Sequence, residues 1–191
     1  MKLQKDYAPR TYQGPKKFIS KGLIIVYTGA GKGKTTAALG AALRALGRGY
    51  RVAMVQFIKG PWKTGELAAV KSFGNRFKIY PTGEGFTWET KNLERDLFLA
   101  KKSWEKCQEV LLDRTHQVVI FDEINYALQY HFLDVKEVLR ALKKKPKSKH
   151  VILTGGGAPK SLIELADLVT EMKCIKHPFQ QGILAQPGID Y

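Results

Sequence analysis

Nine residues constrain this chain more than any others: Thr28-Gly29-Ala30-Gly31-Lys32-Gly33-Lys34-Thr35-Thr36, set between an apolar run and an Ala/Leu-rich stretch. The run GLIIVYTG (22–29) reads as a buried parallel strand. Residues 34–46 read as a helix, closed by Gly47. A glycine-rich turn at such a junction lets consecutive backbone N–H groups converge on phosphate oxygens without a Cβ in the way. The helix beginning near Lys34 adds the positive end of its dipole. The phosphate-loop pattern is Gly, four residues, then Gly-Lys-Ser/Thr between strand and helix. Gly33, Lys34 and Thr35 match its second half, while Thr28 replaces the first glycine. Lys34 supplies a point charge for a triphosphate and the Thr35 hydroxyl a ligand for Mg²⁺. Lys32 is an extra cation in the loop, which either touches phosphate or faces solvent.

The remaining pattern alternates strands with helices. Apolar strands are expected at 51–58, 117–123, 150–155 and 169–177, and helices at 91–112, 134–145 (Asp134 as N-cap) and 161–168. The helix at 91–112 carries its apolar stripe on Leu97, Ala100, Trp104 and Leu111. Almost wholly apolar strands separated by helices predict an α/β fold: a single P-loop NTPase-type, RecA-like domain, its mostly parallel sheet covered by helices on both faces. Residues 1–21, polar and containing Pro and Lys, read as an arm, and 22–191 as that one domain. The start of the chain is basic but has no apolar h-region, no stretch approaches membrane-spanning length, and the two cysteines have no ligand spacing. A cytoplasmic protein with reduced thiols is the expectation.

The formal charge of +15 predicts anionic partners without choosing among them. Part of the excess lies in Lys143–Lys149, KKKPKSK, which reads as the solvated end of a helix, favoured there by the dipole. Val118-Val119-Ile120-Phe121 followed by Asp122-Glu123 is the Walker B arrangement, in which an acid at a strand's C-terminal end faces the loop's Mg²⁺. One of Asp122 and Glu123 holds the ion directly or through water and the other orients substrate. Either, taken alone, could instead be the N-cap of the next turn.

The wording around these two motifs resembles the P-loop ATP:corrinoid adenosyltransferases. The resemblance is carried by TGAGKGKTTAALGAALRALGRG with Arg44 in its helix, VQFIKG (55–60), GFTWET (85–90), FDEINYAL (121–128), VILTGGGAP (151–159), LADLVTEM (165–172) and KHPFQQGILAQPGIDY at 176–191. It departs from the family at Ala30, where asparagine is common, and at Gly156, where arginine is frequent. The resemblance implies transfer of the 5′-deoxyadenosyl group of ATP to the Co(I) of a corrinoid, with triphosphate leaving, in the making of coenzyme B12. ATP is expected on Gly29, Ala30, Gly31, Lys32, Gly33, Lys34, Thr35, Thr36 and Arg44, its triphosphate running opposite to that in P-loop hydrolases. Mg²⁺, replaceable by Mn²⁺, is expected on Thr35, Asp122 and Glu123. Catalytic roles fall to Lys34 and Glu123, and to Phe86 and Trp88, whose bulk beneath the corrin ring would displace the lower axial ligand and ease reduction of Co(II). The arm is expected to fold over the site. The partners implied are a second copy of the chain and a flavodoxin-type reductant, with no membrane.

Two other activities share the phosphate loop. A small ATPase acting on nucleic acid would suit the charge but needs DNA-contacting loops for which the chain has little spare length. A nucleotide kinase needs an arginine-rich lid, and no glycine-bounded arginine cluster is present.

Overall fold

The computed structural model describes residues 19–57, 64–83 and 93–190. Six parallel strands form one sheet: β1 (Ile24–Thr28), β2 (Val52–Gln56), β3 (Phe77–Pro81), β4 (Val118–Asp122), β5 (His150–Thr154) and β6 (Leu168–Glu171), in the order β3-β2-β4-β5-β1-β6. The helices between them are α1 (Lys34–Gly47), α2 (Gly65–Ala69), α3 (Leu93–Leu112), α4 (Ile124–Gln129), α5 (Val135–Lys144) and α6 (Lys160–Leu165).

The alternation of strand side chains divides the core in two. Ile24, Val26, Val55, Val119, Phe121, Val151 and Leu153 meet α3, α4, α5 and α6 on one face. Val52, Met54, Val118, Ile120 and Ile152 meet Ala38, Ala42, Ala45 and Leu46 of α1 on the other. Both faces are therefore buried, which is why the central strands are apolar throughout and show no polar alternation. The small side chains of α1 let its backbone lie close to the sheet. That closeness brings the start of the helix up to the ends of β1 and β4.

Several elements depart from expectation. The short helix α4 falls where none is expected, and α6 ends at Leu165, short of residue 168, where β6 already begins. β3 and the helical turns before it (65–76) fall where a loop is expected: β3 is an edge strand with only Phe77 buried, so Lys78 and Pro81 weaken its pattern. β6 stops at Glu171, well short of residue 177, because its one neighbour, β1, ends at Thr28. Beyond it Met172 turns inward to accept a hydrogen bond from Gly31 N–H at 2.7 Å. In α3, Ala100, Trp104 and Leu111 are buried as the stripe predicts, joined by Cys107 and Val110, but Leu97 is exposed.

The basic run after α5 is built into the fold. Lys143 and Lys144 occupy the last exposed turn of α5. Lys145 Nζ donates to Gly22 O at 2.7 Å and Lys149 O at 2.8 Å. Lys149 is buried, its ammonium donating to Val110 O at 2.8 Å and to Asp113 O. It satisfies the carbonyls at the end of α3, and burial pushes its pKa down. Asp134 caps α5 as expected, accepting from Lys136 N at 2.9 Å.

Candidate active site

Five strands end in polar residues at one edge of the sheet; Glu171 on β6 is exposed, and the other four are Thr28 on β1, Gln56 on β2, Asp122 on β4 and Thr154 on β5. All four are buried. In an open parallel sheet the carboxyl ends of the strands are where ligands bind.

The turn from β1 into α1 forms the cradle. Gly29 (φ 98°) and Gly33 (φ 105°) both adopt left-handed backbone, with Gly33 at the N-cap of α1. The glycines also have a packing reason. A Cβ at Gly29 would lie 2.4 Å from Met172 O, and one at Gly31 2.7 Å from the Lys173 carbonyl. The back of the loop is thus pressed against the chain leaving β6, and the Gly31 amide is already paired with Met172 O there. Ala30 and Thr36 are exposed. Lys34 is buried and folds back over the loop, donating to Gly29 O at 3.0 Å and Gly31 O at 2.7 Å. Lys32 points outward and pairs with Asp190.

Asp122 is the hub. Its Oδ1 accepts from Thr35 Oγ1 at 2.8 Å and from Thr154 Oγ1 at 2.7 Å, and its Oδ2 from Gln56 Nε2 at 3.4 Å. The Thr154 hydroxyl in turn accepts from Glu123 N–H at 2.9 Å. Glu123 heads α4 with φ 63° and ψ 17°, left-handed backbone uncommon for a residue with a side chain. Such conformations cost roughly 1–3 kcal/mol and gather at functional sites. No side-chain cap bond is made by Glu123, so the N-cap alternative gives no reason for it to be acidic. Its carboxylate lies close enough to Gly155 that a Cβ there would stand 3.1 Å from Oε2. Asn125, fully buried, donates to Gly155 O at 2.9 Å. Among the described residues, Gln56 Oε1 and Asn125 Oδ1 are buried acceptors without a donor.

This chemistry fits Mg²⁺. The groups around Thr35 and Asp122 are oxygen donors, and the two unpaired amide oxygens beside them suit the water shell that Mg²⁺ keeps. No group of three or more His, Cys, Asp or Glu side chains that could hold a metal occurs among the described residues.

Thr35, Asp122 and Glu123 therefore converge with the loop 29–34. Arg44 does not. It is exposed in the last turn of α1, ten residues beyond Lys34, or about 15 Å along a helix. Phe86, Trp88, Trp62 and residues 1–18 of the arm lie outside the described residues. Sequence reasoning missed Thr154, Gln56 and Asn125. The signal for the first two was present: a lone polar residue at the C-terminal end of an apolar strand. Asn125 carried none.

Gly156 backs onto Tyr126: a Cβ would meet its hydroxyl at 3.1 Å. Burial, with the nearby Glu123 carboxylate, raises the Tyr126 pKa, so this hydroxyl is neutral beside the site. Tyr126 stacks on Tyr130 at 6.4 Å between ring centroids, and Tyr130 leans on Phe132 at 5.8 Å.

Among solved structures, the fold is similar to that of the flagellar accessory protein FlaH from Methanocaldococcus jannaschii. The TM-score is 0.52 at 15% identity, covering 80% of this chain and 72% of that one. A corrinoid adenosyltransferase from a Sinorhizobium species is 50% identical over 193 residues, covering all of this chain and 90% of that protein. Corrinoid adenosyltransferases of Escherichia coli K12 and Salmonella typhimurium, the latter CobA, are each 44% identical over 171 residues, covering 90% of this chain and 86% of theirs. The family model of the ATP:corrinoid adenosyltransferases BtuR/CobO/CobP matches residues 20–191, which takes in the loop, the Asp122 hub and the strand ends that join them. By that match and these identities, the chain belongs to the ATP:corrinoid adenosyltransferase family.

Proposed function

We propose that this protein adenosylates a corrinoid with ATP and releases inorganic triphosphate, in adenosylcobalamin synthesis or salvage. The observation that carries the reading is the Lys34–Thr35–Asp122–Glu123 group at the glycine cradle. Co(I) attacks C5′ of ATP, the cobalt–carbon bond forms as the C5′–O bond breaks, and the electron pair leaves with the triphosphate oxygen. Negative charge therefore grows on the phosphate side. Lys34, held at the glycine turn, with the helix N-terminus behind it, would favour that charge more than ground-state ATP, and preorganised donors of this kind are usually the largest single catalytic contribution.

Thr35 and Asp122 would hold Mg²⁺, with Glu123 next to them, and the ion would neutralise charge on the triphosphate. Thr154 and Gln56 fix the Asp122 carboxylate so that it does not reorganise during the reaction. Glu123, aimed by its left-handed backbone, orients the substrate side. Phe86 and Trp88 are assigned the apolar face that keeps the lower axial ligand off cobalt, since axial ligation tunes a metal's potential. Residues 1–21 are proposed as the arm that folds over the site. Arg44, distant from the loop within one subunit, is left with no phosphate role of its own here; a contribution to ATP would have to come from across a homodimer.

Anaerobic mixing with ATP, Mg²⁺ and chemically reduced cobalamin tests the reading. The cobalt spectrum should change to that of a light-sensitive alkyl corrinoid. Lys34→Ala should reduce the rate at least 100-fold, the scale seen when one transition-state donor is removed. Trp88→Ala should slow turnover from Co(II) while sparing turnover from preformed Co(I) and ATP affinity. A change in ATP affinity alone would defeat the assignment of that loop.

The reductant is proposed to be an acidic flavodoxin-type protein drawn by the +15 surface of a cytoplasmic enzyme. Donor-dependent turnover should fall between low and moderate ionic strength, and indifference to salt would rule this attraction out.

A further inference from the structure

Two ammonium groups belong to the phosphate loop, and they are held differently. Lys34 is buried inside the loop by its own carbonyls. Lys32 is half exposed and its ammonium is paired with Asp190, far away in sequence. The partner is itself well placed. Asp190 Oδ2 accepts from Gln186 N–H at 2.7 Å, and Asp190 N–H donates to Gln186 O at 2.9 Å, so residues 186–190 close into a turn that presents Oδ1 to Lys32. The Asp190 side chain is only 16% exposed, against 50% for Lys32.

The segment that carries this turn starts under the loop. Met172 O receives Gly31 N–H, and the Met172–Lys173 backbone fills the space behind Gly29 and Gly31. From Lys173 onward the chain is mostly exposed, including Ile175, Phe179, Leu184 and Ile189. It therefore touches the phosphate loop at both ends, from below at Met172 and from the side at Lys32.

The geometry points to Asp190 as a positioning residue that controls how much of Lys32 the phosphate tail can use. The carboxylate draws Lys32 outward and offsets one of the loop's two positive charges. A bound polyphosphate must compete with Asp190 for that ammonium. The loop then grips the departing triphosphate mainly through Lys34 and its amides, which limits retention of a highly charged product. This rests on the reading above, in which triphosphate is the leaving group. An exposed ion pair is weak enough to be exchanged for a polyanion, and the expected effect is correspondingly modest.

The test is calorimetric binding of inorganic triphosphate, with Mg²⁺, to the full chain. Asp190→Asn should tighten triphosphate roughly two- to fivefold, the factor an exposed pair can supply. The gain should shrink as salt is raised. Inhibition of steady-state adenosylation by added triphosphate should strengthen by the same factor. In a Lys32→Gln background the Asp190→Asn substitution should change nothing, because its effect runs through Lys32. An unchanged or weakened affinity in Asp190→Asn, or a gain that survives in the Lys32→Gln background, overturns the proposal. If the wild type forms adenosylcorrinoid yet binds no triphosphate, the proposal fails and the transfer reading survives. If it does neither, both fail.

Discussion

Thr154 shows how one hydroxyl can hold a site together. It donates to the Asp122 carboxylate and accepts from the Glu123 amide, so it fixes both acids of the Walker B pair at once. Thr154→Val keeps the shape and leaves a buried carboxylate oxygen and a buried N–H short of a partner, which costs about 1–3 kcal/mol. Chemical denaturation should register that loss, and kcat should drop while the overall fold persists. A variant as stable and as active as the wild type would mean that Asp122 and Glu123 are positioned by something else. At this scale much of the site was legible. Lys34 and Thr35 follow from their place between strand and helix, and Asp122 from the end of an apolar run. Glu123 was ambiguous because the sequence does not reveal its left-handed backbone, which points the side chain away from a capping role. Lys32 was left undecided between phosphate and solvent, and the structure gives it a third partner, Asp190, whose approach no local pattern encodes.

Among elements, the central strands and the longer helices were readable, and the edge strand β3 and the short helix α4 were not. β2, β4 and β5 are buried on both faces, β1 on one with Ile25 and Tyr27 half-buried on the other, and all four read as apolar runs. β3 has a neighbour on one side only and half-exposed side chains, so its pattern is diluted. The basic run after α5 misled for a different reason: Lys149 folds inward to complete α3, a long-range bond invisible in composition. The turn that links α3 to β4 lies beside it and makes stability depend on acid. His116 is buried against Asp113 at 2.8 Å, and burial lowers its pKa. Hydrogen bonds from Thr115 hold the Asp113 pKa at about 2. For both groups the unfolded chain takes up the proton first. Stability present above about pH 6.5 should fall as His116 is titrated, joined by His150, also lowered by burial. A further loss should follow below about pH 4, down towards pH 2, from Asp113. Urea midpoints against pH should show His116→Gln flattening the first window and Asp113→Asn the second. Slopes that match the wild type in both variants would remove this turn from the account.

For the whole molecule, the positive charge and the polar strand ends act at different ranges. The field of a +15 chain gathers anions over the surface, while the glycine turn and the polar strand ends are gathered at the carboxyl edge of the sheet, where ligands bind in such folds. Such a cradle does not by itself distinguish transfer of the adenosyl carbon from transfer of a phosphoryl group; membership of the adenosyltransferase family does. We propose that the loop binds the phosphate chain as a leaving group and leaves C5′ open to cobalt. Phosphorus NMR of a single anaerobic turnover, with Co(I) corrinoid and ATP in equal amounts, tests it most directly. One intact triphosphate is expected for each cobalt–carbon bond formed. ADP or orthophosphate as the direct product, without an alkyl corrinoid, would contradict it.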